Sequence, residues 1–432
     1  MYELNPPAVF AHESVMDDPR YKARLESVVS ALSVPIEPEI YRDEDLPELI
    51  KERRILGSRV PMGSLEEIRD PILLFNTFRF DGQRSERSKW LKQQGVSSAN
   101  ASLLGYGPFA WAPYCLPADP HRHDKVCRPC WRLHFQNGCV HKCHYCGLGG
   151  LLITMVNVED YIENLTKLIK AHPWQETYLF EDDADAPCLE PELGCLGPLI
   201  EFFGTLKDRY LIIHTKSWNF DWALDLKHNG NTIIVWSISA PTQSSILEPK
   251  TGTTEQRIES ARKCQEAGYT VRYKFKPIIP VRDWREDASE AIRMIFARTD
   301  PDVISLCCFM WMTIDDLKKR LDVSLLDPTY IAAAEAAVDE VADTRTRPFP
   351  EWVRAEIYEH HFNEIRKWNQ EIPVSLSTEN WKMWKRLEST LGSTALNYVC
   401  GCGPNSVPWR DKLQVHPFKI AERSPEGKFE LM

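Results

Sequence analysis

The chain has 432 residues, of which 43% are hydrophobic, and its 52 Lys and Arg against 62 Asp and Glu give a net charge of −10. This composition supports one large or two ordinary globular domains and excludes disordered and collagen-like proteins. The acidic balance disfavours a polybasic surface for DNA or for an anionic membrane, although a local basic groove is compatible with it.

The sequence indicates neither a membrane partner nor an export signal. No run of eighteen apolar residues occurs, and the start, MYELNPPAVFAHESV, lacks the basic and apolar stretches of a signal peptide. We therefore expect a cytoplasmic protein. Thirteen cysteines are many for a reducing compartment, and an odd number cannot all form disulfides, so metal binding is the first alternative.

Three regions follow one another along the chain. Residues 1–125 are rich in proline and charge, with one predicted helix over 21–32, and we expect a wrapping N-terminal extension. Residues 126–325 alternate short β-rich runs with helical patterns. Residues 326–432 are predicted to form a helical C-terminal extension that ends in a Cys-Gly-Cys loop, NYVCGCGPNSVP.

The central region carries the predicted fold. Its β-rich runs predict six strands: WRLHFQ (131–136), ETYLFE (176–181), RYLIIHT (209–215), NTIIVWSI (231–238), TVRYKFKP (270–277) and DVISLCCF (302–309). Apolar residues at helical spacing lie between these runs. Six β/α units with right-handed crossovers imply an α/β fold, a partial six-stranded (β/α)6 TIM-type barrel. Functional groups are then expected at the carboxyl ends of the strands.

The cysteines around the first predicted strand allow two sets of metal ligands. Two C-x2-C pairs separated by twelve residues suit a tetrahedral zinc site, and this set consists of Cys127, Cys130, Cys143 and Cys146. It leaves Cys139 unused. Alternatively, a C-x3-C-x2-C motif after the strand can bind three irons of a [4Fe-4S] cluster and leave the fourth iron open. Its position in the β/α series favours the cluster.

The C-x3-C-x2-C motif, with Tyr145 before its last cysteine, resembles the radical S-adenosylmethionine (SAM) superfamily. Further blocks resemble its spore photoproduct lyase-like branch: MVNVEDYIENL after the cysteine loop, IEFFG at 200–204, HTKSWNFDWALDLKHNGNTIIVWSIS at 214–239, GTTEQRIESARKCQEAGYTV at 252–271 and PIIP at 277–280. The resemblance runs from Trp131 to Trp284 and implies a barrel of the radical SAM kind.

The resemblance also implies the cofactors and their chemistry. In the superfamily, SAM chelates the open iron of a [4Fe-4S] cluster. An electron from the reduced cluster then breaks a C–S bond, giving methionine and a 5′-deoxyadenosyl radical that abstracts hydrogen from the substrate. An electron donor such as flavodoxin or ferredoxin is then an expected partner. By similarity, the cluster ligands are Cys139, Cys143 and Cys146.

Residues that contact SAM are implied in the same way. Lys216, at the end of the third predicted strand, and Ser237, at the end of the fourth, match family positions that contact SAM. Glu181 and Asp182 follow the second strand, where these enzymes hold the SAM amino group, and either carboxylate can accept that ammonium. A helix N-cap is the alternative role for Asp183 and Asp185 nearby.

The lyases also use a cysteine after the second strand as a hydrogen-atom donor, together with one or two tyrosines. Cys188 lies at about the expected position, and core packing is the alternative role for such a thiol. Tyr145 is the tyrosine candidate near the cluster. Gly147 stands where the lyases place a tyrosine after the last cluster cysteine, and this departure weakens the lyase interpretation.

The tail loop adds two thiols, Cys400 and Cys402, in a region that the simpler lyases lack. They can donate hydrogen, relay electrons or, together with Cys127 and Cys130, ligate a second cluster. The sequence does not show that the two pairs meet in space, and an ordinary loop or lid is the alternative.

Three functions are compatible with these features. The acidic charge, the missing tyrosine, the longer ends and the additional thiols favour a radical SAM enzyme that acts on a small molecule or a peptide. The resemblance and Cys188 favour repair of a thymine lesion in DNA, for which a flipped base is held against a basic groove. A zinc-stabilised interaction protein is the third candidate. We expect the first function, since the charge disfavours DNA as a partner.

Overall fold

A computed structural model describes residues 1–52, 70–95, 108–112, 125–148 and 150–410. The strands are β1 Val9–His12, β2 Glu39–Tyr41, β3 Ile72–Asn76, β4 Phe109–Ala112, β5 Cys130–Leu133, β6 Gln136–Asn137, β7 Leu151–Met155, β8 Thr177–Phe180, β9 Tyr210–Thr215, β10 Thr232–Ile238, β11 Thr270–Ile278, β12 Ile304–Cys308 and β13 Val374–Leu376. The α-helices are α1 Pro19–Ser30, α2 Leu46–Glu52, α3 Arg84–Gln93, α4 Val158–Ala171, α5 Leu196–Gly204, α6 Pro241–Leu247, α7 Thr254–Glu266, α8 Trp284–Arg298, α9 Ile314–Arg320, α10 Pro328–Ala336, α11 Val338–Val341, α12 Glu351–Trp368, α13 Trp381–Arg386 and α14 Glu388–Leu391. The end of the predicted C-terminal extension, 411–432, lies outside the described residues.

The larger of two sheets forms the barrel. Its strand order is β13-β12-β11-β10-β9-β8-β5-β4, and the strands from β5 to β13 pair in parallel. The six predicted strands are β5, β8, β9, β10, β11 and β12, which neighbour one another in chain order. Strand β4 pairs antiparallel with β5 at one edge, and β13 lies at the other, so the described sheet does not close. The predicted open α/β barrel is confirmed, with one more strand at each edge.

Alternation along the strands directs some side chains into the barrel and others outwards. In β10, Ile233 and Val235 join a small cluster with Leu179 and Ile212, whereas Trp236 lies in the main core. Charged residues of the neighbouring strand β11 lie at matching positions, since Val235 pairs with Arg272 and Ser237 pairs with Lys274. The barrel interior is therefore mixed, with apolar and charged layers.

Helix α4 shows why the segments between the strands are helical. Its buried residues Val158, Tyr161, Leu165 and Leu168 recur every three or four positions, which places them on one face of a helix. Helix α7 begins with a capping box in which Thr253 and Gln256 satisfy each other's backbone N–H groups. Such local signals fix the helices that connect the parallel strands.

The N-terminal region does more than wrap around the barrel. Its strands β1, β2 and β3 form a second sheet together with β6 and β7, in the order β2-β1-β3-β7-β6. In this sheet β3 pairs in parallel with β7 over its full length. Val9 and Phe10 of β1 are buried in the main core. Short buried strands of four or five residues carry no distinctive alternation, which is why the sequence showed only the helix, now α1.

Between residues 328 and 391 the C-terminal region is largely helical, and it also contributes strand β13. This strand pairs with β12 from Ile304↔Val374 to Leu306↔Leu376 and extends the barrel sheet. Helix α12 precedes it and packs against α8 and β12. Within the described residues, no helix has both the length and the apolar character to span a membrane.

The buried ion pair between Arg272 and Asp302 gives a test of this fold. Two N–H···O contacts of 2.7 Å join the side chains, and both are fully buried. Asp302→Ala leaves the guanidinium of Arg272 buried without its carboxylate partner. We therefore expect the free energy of unfolding, measured in urea, to fall by about 3–5 kcal/mol. Glu290→Ala breaks the exposed pair with Arg293 and should have little effect. Equal effects would contradict this role of the pair.

Candidate functional site

The C-x3-C-x2-C motif lies in the loop between β6 and β7. The loop starts at Gly138, which has φ 114°, and a Cβ there would lie 2.0 Å from the carbonyl oxygen of Leu151, so only glycine fits. The Gly138 N–H donates to the carbonyl of Asp183 at 2.9 Å, which anchors the loop to the segment after β8. The cysteine loop is thereby held at the carboxyl ends of the barrel strands.

The three loop cysteines lie in a sheltered position. Cys143 is buried, whereas Cys139 and Cys146 are half-buried. Burial raises the pKa of Cys143 to about 12 and that of Cys139 well above its ordinary value. Binding of a metal would therefore release protons from these thiols.

The spacing of the sulfurs distinguishes a cluster from a single ion. Zn–S bonds of about 2.3 Å bring tetrahedral thiolates to about 3.8 Å from one another. Among the described residues, one trio of Cys, His, Asp or Glu has all its ligand atoms within 4.8 Å, and it is His141, Asp185 and Cys188. The loop sulfurs, and those of the alternative zinc set, are therefore spread more widely. Wide spacing suits ligands on separate irons of a cluster.

Cys188 lies beside the cysteine loop. Its Sγ is 3.4 Å from Nε2 of His141, a residue inside the loop, and that same nitrogen is 2.9 Å from Oδ2 of Asp185. Burial, with the nearby Asp185 and Cys139, raises the pKa of Cys188 well above its ordinary value. The Cys188 side chain is therefore a protonated S–H group at neutral pH.

Asp185 organises this corner of the site. Its carboxylate accepts hydrogen bonds from the Thr215 hydroxyl at 2.8 Å and from the Lys216 N–H at 2.6 Å. Burial opposes ionisation, but His141 and these donors outweigh it and lower the pKa of Asp185. Asp185 precedes a short 3-10 helix, Ala186–Leu189, but its side chain makes no hydrogen bond at the start of that helix. The N-cap role considered from the sequence is therefore wrong for Asp185.

The N-terminal segment brings a tyrosine to the same corner. The backbone N–H of Tyr2 donates to the carbonyl of Cys188 at 3.1 Å, and its ring lies edge-on to His141 with centroids 5.2 Å apart. The Trp218 N–H donates to the Tyr2 hydroxyl at 3.3 Å. Burial, then Cys188, raises the pKa of Tyr2 far above its ordinary value. The phenol therefore keeps its O–H.

Glu248 is the charged centre on the other side of the loop. Its buried carboxylate accepts hydrogen bonds from Lys216 at 2.9 Å, from Ser239 at 2.7 Å, from Arg257 at 2.5 Å and from the Tyr145 hydroxyl. Burial opposes ionisation, but the Lys216 and Arg257 cations hold the pKa of Glu248 well below its usual range. Lys216 and Tyr145, both expected at the site, thus share one anion.

The two acidic candidates after β8 differ in their surroundings. Asp182 forms an ion pair with Arg132. Glu181 is buried, and its Oε1 accepts backbone N–H groups of Phe135 and Gln136. Its Oε2 has no hydrogen-bond partner among the described residues, although Nδ1 of His134 lies 3.6 Å away. Glu181 thus has a carboxylate oxygen available for a cation.

Ser237 lies apart from this polar corner. It is half-buried on β10, beside Lys274 of β11, and its carbonyl accepts a hydrogen bond of 3.0 Å from Arg257. The structure therefore connects Ser237 to Glu248 only through Arg257. It places Cys139, Cys143, Tyr145 and Cys146 in one loop, with Cys188 and Lys216 beside that loop or linked to it.

Sequence reasoning missed three participants, Tyr2, Asp185 and Glu248. Tyr2 and Glu248 carried no signal, because neither is near the cysteine motif in the chain. Asp185 did carry one, since it is an acidic residue in the loop after the second predicted barrel strand, but its chain position alone suggested a helix cap.

Comparisons with known proteins agree with this geometry. Residues 128–311 match the spore photoproduct lyase family. The chain is 30% identical over 185 residues to spore photoproduct lyase of Bacillus subtilis, covering 40% of this chain and 53% of the relative. It is 28% identical over 179 residues to that of Clostridium acetobutylicum, covering 39% and 53%. The chain thus spans about half the length of these relatives, and the resemblance seen in the sequence is confirmed.

The fold is also that of a solved relative. A structure of spore photoproduct lyase complexed with dinucleoside spore photoproduct matches with a TM-score of 0.58 at 16% identity, covering 86% of this chain and 98% of that one. This likeness confirms the open α/β barrel of the radical SAM kind.

Replacing Glu248 tests the buried charge network. Glu248→Gln leaves Lys216 and Arg257 without their shared anion, so we expect the free energy of unfolding at pH 7 to fall by about 3–5 kcal/mol. The carboxylate stabilises the fold above its unfolded pKa of about 4.3, and this contribution is lost as the pH falls further. Urea unfolding between pH 7 and 3 should therefore show a smaller pH dependence in the variant.

The control for Glu248 is Glu255→Gln. Glu255 lies on helix α7 and forms an exposed pair with Arg298 of helix α8. We expect nearly unchanged stability and an unchanged pH dependence. Identical pH profiles for wild type and Glu248→Gln would contradict the depressed pKa of Glu248.

Proposed function

We propose that this protein is a radical SAM enzyme of the lyase type, in which the C-x3-C-x2-C loop holds a [4Fe-4S] cluster and Cys188 returns a hydrogen atom to the substrate. The position of Cys188 carries the proposal: its protonated thiol lies 3.4 Å from His141, inside the loop that would hold the cluster. The match of residues 128–311 to spore photoproduct lyases supports the same assignment.

The residues present fit such a cluster. Cys139, Cys143 and Cys146 offer three thiols too widely spread for one ion, and three ligands leave one iron open. The Leu148 N–H donates to Sγ of Cys146 at 3.4 Å, a contact of the kind that tunes cluster sulfurs. When bound with SAM, the cluster supplies a carbon radical that can abstract hydrogen from an unactivated carbon.

Three charged or polar side chains are proposed to hold SAM. Oε2 of buried Glu181, which accepts no hydrogen bond in the described structure, is suited to the SAM ammonium, and Asp182 is less suited because Arg132 already neutralises it. Lys216, fixed by Glu248, and Ser237 are assigned by similarity to the lyases. Tyr145 donates its hydroxyl to Glu248, so we assign it a positioning role for Lys216.

Cys188 is proposed to end the reaction on the substrate. Its S–H bond breaks, a C–H bond forms on the product radical, and a thiyl radical remains on the sulfur. The O–H of Tyr2 is then the nearby group from which the thiol can regain hydrogen, leaving the radical on the tyrosine. Tyr2 thereby replaces the tyrosine that the lyases have at the position of Gly147.

The lyase-like site favours a thymine photoproduct as the substrate to test first. The net charge of −10 favours the second candidate, a small molecule or peptide, because DNA binding gains affinity from phosphate contacts with Lys and Arg. An electron donor such as flavodoxin or ferredoxin is a further proposed partner. The spread of the cysteine sulfurs speaks against the zinc-stabilised interaction protein.

Loss of one cluster ligand should abolish SAM cleavage. Anaerobic protein reconstituted with iron and sulfide and reduced with dithionite should convert SAM to 5′-deoxyadenosine, and Cys143→Ala should reduce the product to background. Cys264→Ala removes a buried thiol from helix α7 and should retain the activity. Equal product from both variants, or methylthioadenosine from the wild type, would overturn the proposed initiation.

Removal of Cys188 should separate SAM cleavage from product formation. With dinucleoside spore photoproduct, Cys188→Ala should still cleave SAM but yield much less repaired product, because the product radical then lacks its hydrogen-atom donor. Cys195→Ala, another buried thiol, is the matched control. Undiminished repair by Cys188→Ala would exclude it as the donor. A wild type that cleaves SAM without altering this substrate would favour the small-molecule function.

A further inference from the structure

The tail loop enters the barrel from the end opposite the C-x3-C-x2-C loop. The carbonyl of Pro404 accepts the N–H of Thr177, the first residue of β8, at 3.0 Å. Arg272, near the start of β11, donates to the carbonyl of Gly401 at 3.2 Å and to Ser406 at 2.8 Å. A Cβ on Gly401 would lie 2.9 Å from the Ser305 hydroxyl. The Cys-Gly-Cys turn is therefore fixed against the amino-terminal halves of the strands.

Four cysteines meet at this end. Cys400 and Cys402 have their sulfurs 3.7 Å apart, close to the spacing of about 3.8 Å for two thiolates on one tetrahedral metal. Cys130 interacts electrostatically with Cys127 and Cys402, and Cys400 interacts with Cys127. The pairs that the sequence could not connect are thus neighbours.

Packing between the two segments supports this proximity. A Cβ on Gly403 would lie 3.2 Å from Cβ of Cys400 and 3.6 Å from Cγ of Arg128, which stands between Cys127 and Cys130 in the chain. The Arg128 guanidinium also lies 4.2 Å from the centre of the Tyr398 ring. Both cysteine pairs therefore belong to one packed unit.

Two lysine side chains lie among these sulfurs. Lys274 is buried on β11, with Nζ 3.6 Å from Sγ of Cys402, and half-buried Lys276 follows two residues later, at the irregularity between Phe275 and Ile278. In the described structure neither lysine forms an ion pair with a carboxylate, and the acidic groups facing them are cysteines, chiefly Cys402 and Cys307. Buried Lys274 therefore has cysteine sulfur, rather than a carboxylate, as the group that can compensate its charge.

A metal centre with four thiolates would supply such an anion. Four thiolates around one divalent zinc ion, or around an iron–sulfur core of the same charge, leave a net charge of about −2. Two thiolates 3.7 Å apart can bind one iron of a cluster, and the Cys127–Cys130 pair can bind another, since no three of the four sulfurs lie within 4.8 Å of one another in the described structure. A single zinc ion would need all four sulfurs close together.

We propose that Cys127, Cys130, Cys400 and Cys402 bind a second metal centre, an iron–sulfur cluster, at the amino-terminal end of the barrel. Lys274 and Lys276 compensate its negative charge from inside the barrel. Its chemistry is electron storage and transfer, at the end of the barrel away from the proposed SAM site. The proposal does not depend on SAM cleavage or on the substrate.

The test measures metal and sulfide in a chain that lacks the first site. Purified anaerobically and reconstituted with iron and sulfide, Cys139→Ala/Cys143→Ala/Cys146→Ala should still hold iron, acid-labile sulfide and visible cluster absorption. Adding Cys130→Ala and Cys400→Ala to this chain should remove all three, and adding Cys264→Ala instead should not. Circular dichroism of each variant establishes that it is folded.

The wild type provides a second measurement that requires no substitution. It should contain more iron than the roughly four atoms of one [4Fe-4S] cluster, and Cys130→Ala/Cys400→Ala should lose only the excess. No excess iron in the wild type, zinc without sulfide, or a Cys400–Cys402 disulfide would overturn the proposal. Failure of the first cluster would lower the iron content of the wild type and abolish SAM cleavage, but the variant that lacks Cys139, Cys143 and Cys146 would still hold iron and sulfide, so the two failures are distinguishable.

Discussion

Parallel pairing of the barrel strands in chain order is the constraint on which the molecule depends. Because every connection crosses back over the sheet, all carboxyl ends meet at one rim and all amino ends at the other. The loop of Cys143, the segment of Cys188 and the residue Lys216 follow strand ends and converge at one rim. Cys130 and Asp302 lie at strand starts, at the opposite end.

The interior contains more charge than a purely apolar core, and each charge needs a partner. Glu248 is compensated by Lys216 and Arg257, and the Arg272 guanidinium is compensated by a carboxylate that it contacts with two nitrogens. Lys274 has no carboxylate partner in the described structure, and its Nζ lies 3.6 Å from the Cys402 sulfur. The Glu248 network positions groups around the cysteine loop, and the ion pair of Arg272 joins neighbouring parts of the barrel. The surroundings of Lys274 indicate a further ligand.

The two ends of the chain complete the barrel in different ways. The N-terminal segment adds a second sheet and carries Tyr2 to the rim where Cys188 lies. The tail loop closes the other end and carries Cys400 and Cys402 into the barrel. The radical that we propose at one rim would need shelter from water and oxygen, and the two extensions lie where they would supply it.

Local patterns in the sequence determined the six barrel strands, the helices between them and the cysteine loop. Alternation and helical periodicity are properties of a few neighbouring residues, and the spacing of Cys139, Cys143 and Cys146 is fixed by the chain itself. The sequence did not indicate the strands of the N-terminal sheet or β13, because runs of three to five residues are too short to show a clear period.

Tertiary structure alone decided which distant groups meet. Tyr145 and Glu248 are separated by 103 positions, and Lys274 and Cys402 by 128, yet each pair is in contact. No periodicity links such residues, since their proximity follows from the closing of long loops by strand pairing. The sequence therefore determined the chemistry that the chain can offer. Only the fold decided that Tyr2 reaches Cys188 and that two cysteine pairs share one end of the barrel.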